Sequence, residues 1–66
     1  MKVSYNKLWK LLIDKNMNKS DLKHEISIGS TTLSKLSKNE LVSMTVMIKI
    51  CEFFHCNIGD VMDVIL

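Results

Sequence analysis

The segment from Asn18 to Lys38 constrains the fold most, because it reads as two short amphipathic helices joined by a tight break. In the first of these helices, Asn18 is a favourable N-cap, and Asp21 stands three residues later, where it can complete a capping box. Leu22 and Ile26 follow one helical turn apart and share a face. The spacing therefore predicts a short helix that buries one side.

The break covers residues 27–29, and Gly29 is an acceptable N-cap, because Gly there costs only about a few tenths of a kcal/mol relative to Ser or Thr. In the helix that follows, Leu33 and Leu36 point to one side. The opposite side, called here the polar face, consists of Ser30, Thr31, Ser34, Lys35 and Lys38 at spacing i, i+1, i+4, i+5, i+8. This face has hydroxyl donors and two lysines but no carboxylate, which suits the floor and walls of the DNA major groove.

These residues resemble the helix-turn-helix of the Cro and phage-repressor (Xre-like) family of DNA-binding regulators, whose members typically read Leu-Ala-x-x-x-Gly-Ile-Ser-x-x-Thr-Ile-Ser-x-Ile/Leu. The agreement is good at Leu22, Ile28, Thr32, Leu33, Ser34 and Leu36. The resemblance extends over nearly the whole chain. It implies an all-α fold, a compact five-helix bundle of the phage-repressor type with the helix-turn-helix in helices 2 and 3.

Three departures from the family pattern concern packing. Ser27 stands where the family prefers Gly, so a non-Gly residue is expected in a left-handed conformation, at a cost of about 1 kcal/mol. Lys23 replaces a usual Ala, so its stem should lie along the surface. Leu12 and Ser37 occupy places where many members carry a buried Arg–Glu pair, so that pair should be missing. The polar face is unaffected by all three.

The chain length of 66 residues predicts a single domain, 1–66, without a separate ligand-sensing module. A chain of this size buries only about 60% of its unfolded surface, so a monomer should be marginally stable. The apolar runs fall short of the roughly 20 residues that span a bilayer, and no signal peptide is recognisable. We therefore expect a cytoplasmic protein that makes no membrane contact and has no small-molecule ligand.

Charge is distributed unevenly along the chain. Residues 1–38 hold eight of the nine lysines and three acidic residues, a net charge of +5, whereas residues 39–66 have a net charge of −3. The basic half contains the helix-turn-helix, as a nucleic-acid reader requires, although such asymmetry is also common in ordinary soluble domains.

The other helices follow from apolar periodicity. Ser4 is the expected N-cap of a first helix, roughly Tyr5 to Lys15, in which Trp9 is either a core anchor or a platform for base stacking. Ser43 should cap a fourth helix running to about His55, so apolar that it must be wrapped by other helices or by a partner chain. Asn57 should cap a last short helix through about Asp63. No strand is predicted, and the apolar end of the chain is expected to lie against residues 1–3 or a second copy.

Cysteine and histidine have structural interpretations. Cys51 and Cys56 are five residues apart, which is not a disulfide-framework spacing, so both are expected as reduced, partly buried apolar groups. With His55 they make three potential metal ligands, but His24 stands alone and a structural zinc site needs four. We therefore expect neither a metal nor another cofactor.

The leading hypothesis is sequence-specific binding of double-stranded DNA by a small transcriptional regulator, a repressor or autoregulator by default, with helix 30–38 in the major groove. The residues expected to read base edges are Ser30, Thr31, Ser34 and Lys35. The residues expected to contact the DNA backbone are Asn18, Lys19, Ser20, Lys38 and Asn39. Because Ser and Thr are permissive readers, we expect a homodimer on a palindrome or a contribution from DNA shape.

Two other classes of function are weighed against this one. A protein-interaction module on the same fold, such as an antitoxin or anti-regulator, is suggested by the acidic and apolar C-terminal part. An enzyme is not expected, because no Ser–His or Cys–His pair has a third orienting group and no Gly-rich phosphate loop is present.

Overall fold

The computed structural model describes residues 2–66, which form four α-helices, one short 3₁₀ helix and a small antiparallel sheet. In chain order, the elements are β1 (Lys2–Ser4), α1 (Asn6–Asp14), α2 (Lys19–Glu25), α3 (Ser30–Ser37), α4 (Met44–Phe54), the 3₁₀ helix (Ile58–Asp60) and β2 (Asp63–Ile65). The helical architecture agrees with the expected helix-turn-helix type. The expected count of five α-helices is wrong, since the described residues contain four.

The missing fifth helix begins as predicted but ends after one turn. Asn57 is the N-cap, as expected, and the Asp60 carboxylate accepts from the Asn57 N–H at 3.0 Å. Only the 3₁₀ turn Ile58–Asp60 follows. Val61 is then fully buried in the core, and the chain straightens to pair with β1. These two tertiary interactions stop the helix from propagating.

The sheet joins the two ends of the described chain. β1 and β2 are antiparallel, with Lys2 opposite Ile65, Val3 opposite Val64 and Ser4 opposite Asp63. The expected contact of the apolar chain end is therefore present at Val3, whereas Met1 lies outside the described residues. Lys7 strengthens the same junction, because its Nζ lies 3.0 Å from Asp63 Oδ1 and 3.0 Å from the Gly59 carbonyl oxygen.

The core draws side chains from all four helices. Leu8 and Leu22, from α1 and α2, are 0% exposed, as are Leu36 of α3 and Ile50 of α4. The other buried apolar residues are Tyr5, Leu12, Ile26, Met47 and Val61. Each fully buried aliphatic side chain contributes about 1.5–3 kcal/mol relative to exposure, so these contacts fix how α2 and α3 sit on the rest of the protein.

Tyr5 attaches the loop after α3 to the start of α1. Its hydroxyl donates to the Glu40 carbonyl oxygen at 2.7 Å, and its N–H donates to Asn39 Oδ1 at 3.2 Å. Burial raises the pKa of Tyr5, and the Val42 backbone amide opposes this in part, so the phenol stays a neutral donor at physiological pH. These two hydrogen bonds hold the loop after the C-terminal end of α3 against Tyr5, next to the N-terminus of α1.

The helix caps agree with the sequence to within one residue. Ser43 caps α4 as predicted, accepting from the Val46 N–H at 3.3 Å. Ser4 lies in β1, and its Oγ accepts from the Asn6 N–H at 3.3 Å, so α1 begins one residue later than expected. Apolar α4 is not covered on all sides by its own chain, because Met44 and Ile48 are 61% and 52% exposed.

Candidate nucleic-acid interface

The N-terminus of α2 is built by a reciprocal capping box. Asn18 Oδ1 accepts from the Asp21 N–H at 2.8 Å, and Asp21 Oδ2 accepts from the Asn18 N–H at 3.0 Å. The Asp21 carboxylate is thus engaged at the cap, and Lys19 and Ser20 of the first turn are exposed. A helix start has a positive dipole end and free N–H groups, so this turn can receive a phosphate.

The turn between α2 and α3 adopts the strained geometry that the sequence predicts. Ser27 has φ 55°, in the left-handed region that the family normally gives to Gly. Ile28 is half-buried, and its N–H donates to the Lys23 carbonyl oxygen at 3.2 Å. Gly29 is the N-cap of α3 at φ −79°, with no side chain to satisfy the first N–H groups. Those groups remain available to a ligand.

The helix α3 presents its faces as its spacing predicts. Leu36 is fully buried and Leu33 is half-buried, which turns the polar face outward. All nine residues predicted to contact DNA are exposed: Ser30, Thr31, Ser34 and Lys35 on α3, Asn18, Lys19 and Ser20 around the start of α2, and Lys38 and Asn39 after α3.

Lys23 joins the start of α3 and was not among the predicted site residues. Its side chain is half-buried, as its expected position along the surface requires, and Nζ donates to Ser30 Oγ at 3.2 Å. The ammonium group therefore lies beside the N-terminus of α3, where the helix dipole disfavours a cation unless an anion is close. The sequence signal was the replacement of a small residue by Lys in the helix preceding the turn.

Lys19 connects three helices. Its Nζ donates to Ser37 Oγ at 3.2 Å and lies 4.3 Å from the centre of the Trp9 ring. Leu12 is buried and Ser37 is exposed, so in the described structure these two positions hold an apolar core residue and a surface hydroxyl that accepts from Lys19. Trp9 packs partly against the core, in agreement with its interpretation as an anchor, and Lys19 covers one ring face that a base would need.

The loop after α3 has a structural role in addition to its predicted contact with DNA. Lys38 is the C-cap of α3, and Asn39 follows at φ 58°, a conformation that Asn tolerates better than most residues. Because Asn39 Oδ1 accepts from the Tyr5 N–H, only the amide NH₂ is left for a phosphate.

The electrostatics of this surface favour an anion. Lysines 19, 23, 35 and 38 lie on or beside α3, which carries no acidic residue. Among residues 2–66, the one ion pair joins Lys7 to Asp63 at the sheet, so none of these four lysines is neutralised by a carboxylate. The arrangement offers hydroxyl and ammonium donors over two helices, and the Lys23–Ser30 contact joins the last turn of α2 to the N-terminus of α3.

A sequence profile of the Cro/C1-type helix-turn-helix DNA-binding domain matches residues 7–66. The chain belongs to this family. A crystal structure titled transcriptional regulator VanUg, form II, is similar to it with 48% sequence identity and a TM-score of 0.94, covering 97% of this chain and 85% of that chain. No curated protein matches the chain.

The remaining features of the described residues concern metals, thiols and membranes. Over residues 2–66, no group of three His, Cys, Asp or Glu side chains is placed to hold a metal ion. Both cysteines are free thiols, and burial, followed by the neighbouring Cys51, raises the pKa of Cys56. None of the helices in this part of the chain has the length and apolarity needed to cross a membrane.

Proposed function

We propose that the protein binds double-stranded DNA sequence-specifically as a small transcriptional regulator, with the N-terminal part of α3 in the major groove. The observation that carries this proposal is the exposed, carboxylate-free polar face of α3, supported from below by the fully buried Leu36. Membership of a DNA-binding family supports it, and so does the similarity to a protein titled a transcriptional regulator.

Base recognition falls to the exposed side chains along α3. Ser30 and Thr31 at the start of the helix hydrogen-bond base edges or the nearest phosphates, and Ser34 lies one turn further along the groove wall. Lys35 reaches the O6 and N7 acceptors of a guanine, the commonest contact of a basic side chain in the major groove. These donors discriminate less strongly than a bidentate Arg or Gln, so one copy reads a short site.

Backbone contacts set the register. The predicted set is Asn18, Lys19, Ser20, Lys38 and Asn39. Lys23 joins this set because its ammonium group lies against Ser30 at the start of α3. Phosphates on the two sides of the groove would thus be held from both ends of α3, which fixes orientation without reading sequence.

In this proposal, transcription is regulated by whether the protein occupies its site on the DNA. A domain of this size represses by covering promoter DNA, and a homodimer on a palindrome doubles the length of sequence that is read. We propose a repressor or autoregulator for this reason, with dimerisation and protein concentration as the controlling variables.

Selection of bound fragments from a random DNA library, followed by salt titration, tests the proposal. We expect Lys35→Ala to lower the preference for the selected site over random DNA by roughly 5- to 150-fold, because it removes a base contact worth about 1–3 kcal/mol. We expect Lys19→Ala to weaken binding to all sequences and to reduce the slope of log K against log salt by about one.

Lys49→Ala is the matched control, because Lys49 is an exposed lysine on α4 and should leave both quantities unchanged. Equal losses on selected and random DNA for Lys35→Ala and Lys19→Ala would contradict the assigned roles. If the unmodified protein instead binds all DNA weakly and loses it at physiological salt, the interaction-module alternative is favoured.

A further inference from the structure

The C-terminal end of α4 brings the two cysteines of the chain together. His55 is left-handed, at φ 53° and ψ 52°, and the chain changes direction there. The Cys56 N–H donates to the Cys51 carbonyl oxygen at 3.0 Å, and the His55 N–H donates to the Glu52 carbonyl oxygen at 3.4 Å. These are the two hydrogen bonds of a Schellman motif, in which the side chains at the positions of Cys51 and Cys56 commonly touch.

The backbone geometry of this motif suits a disulfide. A carbonyl group, the 3.0 Å hydrogen bond and one N–Cα bond connect the two Cα atoms, so these atoms are at most about 7 Å apart. The path bends at the carbonyl oxygen and at the nitrogen, which shortens the separation further, into the range of about 4.4–6.8 Å found in disulfides. Rotation of the two side chains is therefore enough to join the sulfur atoms, and α4 need not unwind.

The two thiols are neighbours and can be reached from solvent. Both are half-buried free thiols that line one open groove, together with His55 and Asp60. Burial raises the pKa of Cys56, and Cys51 raises it further through its charge and a hydrogen bond between the side chains, followed by the charge of Asp60. Such coupling requires the two sulfur atoms to lie close together. The chain has two cysteines in all, and both stand at this one contact.

We propose that Cys51 and Cys56 are a site of reversible oxidation, at which hydrogen peroxide converts the two thiols into an intramolecular disulfide across the end of α4. Two aliphatic side chains would serve equally well as the apolar contact of the cap, whereas two thiols add a chemistry that aliphatic groups lack. The inference is independent of the proposed function, since neither cysteine belongs to the polar face of α3.

The reaction balances with peroxide as the oxidant. Cys51 attacks as the thiolate, because the raised pKa of Cys56 keeps that residue protonated. The Cys51 sulfur takes one peroxide oxygen, the O–O bond breaks, and the departing hydroxide combines with the proton that Cys51 released, leaving a sulfenic acid. The Cys56 sulfur then attacks the Cys51 sulfur, the S–O bond breaks, and the Cys56 proton leaves with the oxygen as water. The two sulfur atoms lose two electrons in total, and hydrogen peroxide is reduced to two water molecules.

Oxidation of the full chain by excess hydrogen peroxide, followed by thiol titration and mass spectrometry, tests the site. We expect both thiols to disappear together, with the loss of two hydrogen atoms per chain and full recovery on reduction by dithiothreitol. Cys51→Ser and Cys56→Ser are the matched controls, because each leaves one thiol in place. Each should gain oxygen instead, as a sulfenic acid that dimedone traps, and circular dichroism confirms that both variants are folded.

A second measurement needs the unmodified chain alone. In glutathione buffers, we expect the equilibrium constant for forming the internal disulfide to be at least about tenfold larger in the folded protein than in concentrated urea, because the Schellman motif holds the partners together. Any of four results would overturn the inference: thiols that survive excess peroxide, a gain of oxygen at both thiols without loss of hydrogen, disulfides between chains in place of an internal one, or an equilibrium constant that is no larger in the folded protein.

Discussion

At the scale of single residues, the helix-turn-helix depends on a left-handed residue that is not glycine. The described chain has four non-Gly residues at positive φ, Asn16, Ser27, Asn39 and His55, while both of its glycines have ordinary φ values. Asn accepts this conformation at little cost, but Ser carries the Cβ penalty without comparable compensation. Ser27 therefore stores local strain in the turn that orients α3.

We expect Ser27→Gly to raise the free energy of unfolding by about 0.5–1 kcal/mol, because the relief of left-handed strain exceeds the extra backbone entropy of Gly in the unfolded chain. Urea unfolding followed by circular dichroism measures the change. Asn16→Gly is the control at nearly the same φ, 56° against 55°, and should gain less. An equal or larger gain at residue 16 would show that the strain is not specific to Ser.

At the scale of elements, the residue that would best stabilise the start of α3 differs from the residue that would best allow it to bind DNA. Gly29 has no atoms within 4 Å of where a Cβ would lie, so a side chain fits there. We expect Gly29→Asp to stabilise the protein by about 0.5–1 kcal/mol, because Asp caps the helix and complements its dipole. DNA affinity should fall at least about tenfold, since the carboxylate occupies the N–H groups and repels phosphate.

Thermal unfolding and gel-shift titration measure these two opposite effects. Gly29→Ala serves as the control, because it adds a Cβ without a capping group or a charge and should leave DNA affinity within about twofold of the original. If Gly29→Asp keeps its affinity, the start of α3 does not approach the DNA backbone.

The helices and the exposed residues of the interface could be predicted because both follow from local periodicity. The apolar spacing of Leu33 and Leu36 is enough to place Ser34 and Lys35 on the opposite side of one helix. The contacts of Lys19 with Trp9 and Ser37 could not be predicted, because they join three elements whose relative placement the spacing does not contain. For the same reason, neither the hydrogen bond between Lys23 and Ser30 nor the hydrogen bond from the Tyr5 N–H to Asn39 could be predicted from the sequence.

At the scale of the whole molecule, the sheet could not be predicted from the sequence, because it too depends on contacts between segments far apart in the chain. Each strand has three residues, too few to show an alternation, and about 60 residues separate the partners in the chain. The prediction of a fifth α-helix was wrong in the same region. Its capping signal is local and can be seen in the sequence, whereas the burial of Val61 and the pairing with β1 depend on distant parts of the chain. The two ends of the described chain are thus joined by contacts between residues that are close together only in the folded protein.

Closure of the chain ends should account for a measurable part of the stability. A domain of this size has roughly 3–10 kcal/mol in total, so we expect a chain ending at Met62 to lose about 2 kcal/mol through the strand pairing and the cover over Val3. Asp63→Asn removes the ion pair with Lys7 alone. Both partners of that pair are about half exposed, 48% and 50%, so the loss should stay below about 0.5 kcal/mol. Urea unfolding compares the two, and similar losses would mean that the sheet contributes little beyond its ion pair.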